Sequence, residues 1–177
     1  MFFWMTLTLA TWARPTPITV APGAHALVFD LSAANRGAAR GLVRSDRVGL
    51  SDLTGLMASH PHRAVVIHFF RTSEGGRGLP ALESIRRRYR DERVAVLAIA
   101  TDQPSLASLK DWTSDKDVRF PVLHDAHRIV ASRYAISAYP LTLIVDADGR
   151  LFAVGQPKAS ELEAEVASEL VGLLRGR

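Results

Sequence analysis

The sequence predicts an α/β domain with a mixed central β-sheet flanked by helices, and three observations carry that expectation. Two apolar, β-branched runs, "RAVVIHFF" (63–70) and "RVAVLAIATD" (93–102), read as strands buried on both faces. A helical stretch, "LPALESIRRRYR" (79–90), lies between them, as in a strand–helix–strand unit. "YPLTLIVDADGRLFAVG" (139–155) reads as a hairpin. In it, strand Leu141–Val145 meets strand Leu151–Val154 across "DADG", where Gly149 supplies a positive φ. From the first buried strand onward the order is β–α–β–α–extended–α–β–β–α. Parallel units closed by a hairpin and a helix imply a mixed sheet.

The other elements follow in chain order. An apolar run from Phe2 to about Ala13 is too short to span a bilayer as a helix. It suits the h-region of an export signal, with Ala13 as a candidate cleavage point, or a membrane-proximal anchor. No Lys or Arg precedes it, so a packed N-terminal segment stays open as the alternative. "RPTPITVAPG" (14–23) reads as an extended linker, because prolines and glycine block regular helix. The chain therefore divides into an N-terminal segment and linker, 1–23, and one domain, 24–177. Within the domain, a strand is expected near Ala26–Leu31, then a loop and a short strand near Arg47–Leu50. A helical turn opens at Ser51 or Asp52. After the second buried strand, Asp102 caps a helix with Pro104 in its first turn, and Leu106, Leu109 and Trp112 or Thr113 share a face. "RFPVLHD" (119–125) is extended, and Asp125 caps a helix through about Tyr134. In the last helix Ser160 and Glu163 form a capping box, and Leu162, Val166, Leu170 and Leu173 or Leu174 form the apolar stripe.

Composition narrows the function classes. The formal net charge is +4, from 22 Lys and Arg against 18 acids, too mild to imply nucleic acid. The densest basic run, Arg86–Arg90, is a solvated helix face or an anion or membrane-surface patch. The 177 residues include no cysteine. Disulfide, thiolate and cysteine–metal chemistry are thereby excluded for this chain, while its compartment stays open.

Three local sequences resemble the thioredoxin-like superfamily, in its TlpA/ResA-type thiol–disulfide oxidoreductase and AhpC/TSA redoxin branches. "VGLSDLTG" (48–55) is similar to the strand and turn that precede that family's central strand. "FPVLHDAHRIVASRYAISAYPLTLIVDADGRL" (120–151) resembles its "FPVLLD…A..YGV.G.PTTFLIDRDGRI". On this match Pro140 falls on the family's cis-proline. The third likeness breaks at the catalytic turn. Where the family reads "FWA.WC..C…..P.L", this chain reads "FFRTSEGGRGLPAL". Anchored from the strand, the cysteine positions fall on Glu74 and Arg77. Anchored from "LPAL", they fall on Thr72 and Gly75. The residues Thr72, Ser73, Glu74, Gly75, Gly76 and Arg77 thus form a degenerate active-site turn with no catalytic residue.

Other chemistries are weaker. A Ser73–His68 hydrolase lacks an orienting acid. His68 reads as a core histidine with a satisfied hydrogen bond. His60 and His62, and His124 and His127, have ligand-like spacings but no cysteine partners, so neither a metal nor another cofactor is expected. What the resemblance leaves is a groove, or else only a shortened loop whose glycines absorb the deletion. The family's cis-proline loop pairs with extended peptides, which places Phe70, Arg71, Tyr139 and Pro140 at a candidate peptide or partner-protein site, with Arg77 flanking it. Tyr139 and Phe70 are expected to share an apolar platform. The expected function is a redox-inactive thioredoxin-like binding or accessory protein. The alternative is a thiol–disulfide oxidoreductase or peroxiredoxin-like enzyme by ancestry. Nucleic acid is not an expected partner, and a membrane is one only through an N-terminal anchor. The expected location is exported, periplasmic or membrane-proximal, with a cytoplasmic one as the alternative.

Overall fold

The computed structural model describes residues 20–176. The N-terminal apolar run lies outside them. The central strand is β3 (Ala64–Phe70), and all seven of its residues are buried. It pairs in parallel with β4 (Val94–Ala100) and antiparallel with β6 (Leu141–Asp146). Outside these lie β5 (Val122–His124), parallel to β4, and β7 (Leu151–Gly155), antiparallel to β6. The sheet order is β5-β4-β3-β6-β7. An additional antiparallel pair is formed by β1 (Asp30–Ser32) and β2 (Arg47–Gly49).

The twofold alternation of a strand sorts the core into two halves. Val65, Ile67 and Phe69 face one half together with Leu97, Ile99, Leu143 and the N-terminal Phe29, Val48 and Leu50. Helix α4 (Ile129–Arg133) adds Val130 and Ala131 there. Val66 and Phe70 face the other half. There they meet Leu82 and Ile85 of α2 (Leu79–Arg88), Leu109 of α3 (Leu106–Thr113), and Leu162, Val166 and Leu170 of α5 (Leu162–Arg175). The α5 stripe expected from the sequence is the buried one, with Leu173 and Leu174 included. Asp125 caps α4: its carboxylate accepts from the Val130 N–H at 2.9 Å and the Ala131 N–H at 2.8 Å.

Several local expectations are corrected. The first strand begins at Asp30, not Ala26. The Leu27 backbone is occupied by the buried Tyr134 hydroxyl, which accepts from its N–H at 2.8 Å and donates to its carbonyl at 3.3 Å. The supposed loop before β2 contains a helix, α1 (Arg36–Val43). Its Gly37 and Gly41 lower helix propensity, but Ala39 is fully buried against the core and tertiary packing decides. The turn before β3 begins one residue early, as a 3-10 turn over Leu50–Asp52. Helix α3 starts at Leu106 and is capped by Ser105, whose Oγ accepts from the Ser108 N–H at 3.1 Å; Asp102 is engaged elsewhere. The Ser160–Glu163 capping box does not form. The N–H groups of Glu161 and Leu162 turn back to the Lys158 carbonyl, and the helix opens only after Glu161. The described end of the linker is docked on the domain: the Gly23 N–H donates to the Leu151 carbonyl at 2.7 Å, and Val20 packs against the core.

Candidate functional site

The site is built where β3 ends. Beyond Phe70 the chain passes Arg71 into a 3-10 turn (Thr72–Glu74), then Gly75 and Gly76 at φ +80 and +66, then Arg77 and Gly78 into α2. Parallel pairing sets Phe70 opposite Ala100, so the residues just past β4 lie beside this turn. Asp102 uses that position. Its Oδ1 accepts from the Thr72 N–H at 2.8 Å and the Thr72 hydroxyl at 3.0 Å, and its Oδ2 accepts from the Ser73 N–H at 2.9 Å. The Gln103 side chain also donates to the Thr72 hydroxyl. Burial pushes the Asp102 carboxyl up, but the hydrogen bonds from Ser73 and Thr72 outweigh it and hold the group below its ordinary value. The Asp102 contribution is therefore present above the ordinary aspartate range and fades as pH falls through the lowered value. Asp102→Ala is expected to cost about 1–2 kcal/mol, since the carboxylate is solvent-exposed. Denaturant melts of the variant check this; an unchanged midpoint would refute the anchoring role.

Glycines shape the turn. A Cβ on Gly76 would lie 2.7 Å from Trp112 Cη2 and 3.0 Å from Leu79 Cδ1, at a φ that side chains rarely adopt. Trp112 itself packs on Phe70, with ring centroids 5.7 Å apart. Gly76→Ala is expected to destabilise by about 1–3 kcal/mol through strain and overpacking. A neutral thermal melt would show that the turn has room to move.

The site residues differ in burial and in the half of the core they join. Thr72 is buried and fully used by Asp102 and Gln103. Ser73, Glu74, Gly75 and Arg77 are exposed and all precede the start of α2, in either register of the missing cysteines. Phe70 is 4% exposed and belongs to the core half under Trp112. Tyr139 is half-buried and packs against the opposite half, its ring 4.6 Å from the Arg71 guanidinium and 5.9 Å from that of Arg128. The expected Tyr139–Phe70 platform is thus corrected: the two rings pack into opposite halves of the core. The Tyr139–Pro140 peptide bond is cis. Among the described residues the Tyr139 backbone N–H and C=O have no hydrogen-bond partner.

Between the turn, Pro140 and the Pro157–Ala159 segment lies a cleft of about 590 Å³. Phe70, Arg71, Arg77, Pro140 and Leu162 line it, and His68 reaches it from below. His68 is 2% exposed, and its Nδ1 lies 3.0 Å from the Thr142 hydroxyl. Burial pushes its pKa down to about 4, so the ring is neutral at neutral pH. No hydrogen bond joins His68 to Ser73 among the described residues. The paired-histidine spacings assemble nothing larger: among the described residues no group of three or more His, Cys, Asp or Glu is placed to hold a metal. His124 Nε2 instead lies 3.0 Å from the Gln103 carbonyl.

Sequence reasoning missed Asp102 and Thr142 as site residues. Both become visible only through strand register, Asp102 from its place beyond Ala100 and Thr142 from its pairing with His68 across β3 and β6.

A central β3 with parallel and antiparallel neighbours, a turn running into α2 and a facing cis-proline loop define a thioredoxin-like fold. The similarity to solved structures agrees. The chain superimposes with a TM-score of 0.70 on a candidate thiol:disulfide interchange protein DsbE from Chlorobium tepidum, at 18% identity, covering 88% of this chain and 99% of that one. With the thioredoxin domain of a thiol-disulfide oxidoreductase from Bacteroides vulgatus the TM-score is 0.65 at 17% identity, covering 85% and 98%. Residues 38–154 match the AhpC/TSA family model, and the chain belongs to that family. It is also similar to the thiol-disulfide oxidoreductase ResA from Bacillus cereus, 22% identical over 121 residues. That match spans 66% of this chain and 65% of the relative's length.

Proposed function

We propose that this chain is a redox-inactive redoxin that holds an extended segment of a partner protein against its cis-proline loop. The observation that carries the reading is the complete lack of cysteine in a thioredoxin-like fold. Hydroxyl groups and a carboxylate at the turn have no thiol–disulfide couple to offer, so ancestry supplies a shape without its redox atoms. The unpaired Tyr139 backbone favours strand addition, in which main-chain hydrogen bonds give affinity. Open space around Gly75 lets a partner backbone approach. The N-terminal apolar run makes an exported or membrane-anchored location part of the same reading, and cell fractionation of the full chain tests that part.

The test has two arms. The full chain is expected to reduce no insulin disulfide with dithiothreitol and to consume no peroxide above a buffer blank. Turnover at enzyme-like rates, with thiol contaminants excluded, would overturn the reading in favour of an oxidoreductase acting through another residue. In the second arm, partners are captured from the source cell. Tyr139→Pro, which removes the N–H that strand addition uses, is expected to lose them while the fold persists by circular dichroism. Equal capture by both proteins would refute the groove.

A further inference from the structure

His68 has one nitrogen too few in use. Its Nδ1 meets Thr142, but among the described residues its Nε2 has no hydrogen-bond partner, although the side chain is 2% exposed. That nitrogen is not sealed among core atoms; among the described residues the buried side-chain nitrogen left without a partner is His62 Nδ1. The His68 nitrogen borders the cleft, because the space beside it is kept open by a missing side chain. A Cβ on Gly78, which also lines the cleft, would lie 2.9 Å from Nε2. When the Thr142 hydroxyl donates to Nδ1, the neutral ring presents an N–H at Nε2 to whatever enters.

The charges around the opening select the sign of that guest. Arg71, Arg77 and Lys158 line the same cleft, against the single acid Glu74. Lys158 is exposed, and its ion pair with Glu161 is long, at 3.8 Å. The remaining walls are largely apolar, so an anion entering here leaves bulk water and gains from each cation. A carboxylate, with two acceptor oxygens, can take one hydrogen bond from an imidazole N–H and another from a guanidinium.

We infer that the cleft is a carboxylate-binding site whose floor is His68 Nε2, kept open by Gly78 and approached past Arg71, Arg77 and Lys158. It rests on the peptide-groove reading only for the source of the carboxylate, an acidic side chain of the bound segment. A free monocarboxylate offers the same chemistry.

The test uses the full chain at constant ionic strength, followed by NMR of the histidine rings, with the His68 signal identified by its loss in His68→Gln. The probes are acetate, an N-acetylated Ala-Glu-Ala amide and its Gln counterpart, with chloride as the control. Saturable shifts of the His68 ring are expected with acetate and the Glu peptide, and none with chloride or the Gln peptide. Gly78→Ala, which fills the space at Nε2, is expected to weaken carboxylate binding at least about tenfold. Lys158→Ala, at an exposed position that does not endanger folding, is expected to weaken it severalfold. Affinity unchanged in both variants, or no response at His68, overturns the inference. Equal binding of the Glu and Gln peptides leaves the groove standing and removes the carboxylate site. Acetate binding without either peptide keeps the site, assigns it to free acids and removes the groove.

Discussion

Replacing Phe69 by Ala is expected to cost about 3–5 kcal/mol, a large part of the total stability of a domain this size. Phe69 is fully buried in the middle strand of the sheet, with β4 on one side and β6 on the other. Its ring meets Tyr134 edge-on at 5.6 Å between centroids. Tyr134 in turn satisfies both backbone groups of Leu27, so a cavity at Phe69 also loosens the contact that ties the N-terminal segment down. Neighbouring strands are held by their own ladders and cannot collapse into the space, which is the condition under which truncation is most costly. Equilibrium denaturation in urea measures the loss. A value below about 1 kcal/mol would contradict the packing of this half of the core.

The second large effect is a pH dependence centred on His68. Its folded pKa of about 4 lies below the ordinary value of 6.5 because burial disfavours the charged ring. The unfolded chain therefore binds this proton first. The stability associated with a neutral His68 is fully present above pH 6.5 and drains away as pH falls from there toward 4. The difference between the two values corresponds to about 3 kcal/mol at the acid end. His68→Leu, with no proton to take up, is expected to show a flatter profile over that window. The gap between the two proteins should thus narrow or reverse as pH falls. Parallel profiles would mean that the folded ring titrates as the unfolded one does, as it would if the cleft hydrates it.

Much of the architecture is legible in the residues. β3, β4 and the β6–β7 hairpin announce themselves because burial on both faces demands continuous apolar runs, and because Gly149 supplies the positive φ of the hairpin turn. The stripe on α5 is equally local, a 3.6-residue pattern that any core would bury. The lack of thiol chemistry needs no structure at all. The weak elements were the misread ones. α1 carries two glycines and only one fully buried side chain, Ala39, while β1 is three residues long, so neither has a pattern strong enough to outvote its neighbours.

Partnerships across the sheet are of a different kind. Asp102 reads as a helix cap in sequence, since an aspartate before a proline-containing helical run is a sound local signal. In the fold its carboxylate faces the turn after β3, where it accepts from two N–H groups and a hydroxyl. Phe70 and Tyr139 look like neighbours on a shared groove, yet they pack into opposite halves of the core. The chain by itself determined which segments are buried, where the main strands and turns fall, and that no residue can cycle between thiol and disulfide. Only the tertiary structure decided that Asp102 anchors the turn after β3, that His68 meets Thr142, and that Gly78 leaves the other nitrogen of His68 open to a cleft. The reason is range: burial periodicity is written in residues a few positions apart, whereas these contacts are set by the register between strands far apart in the chain.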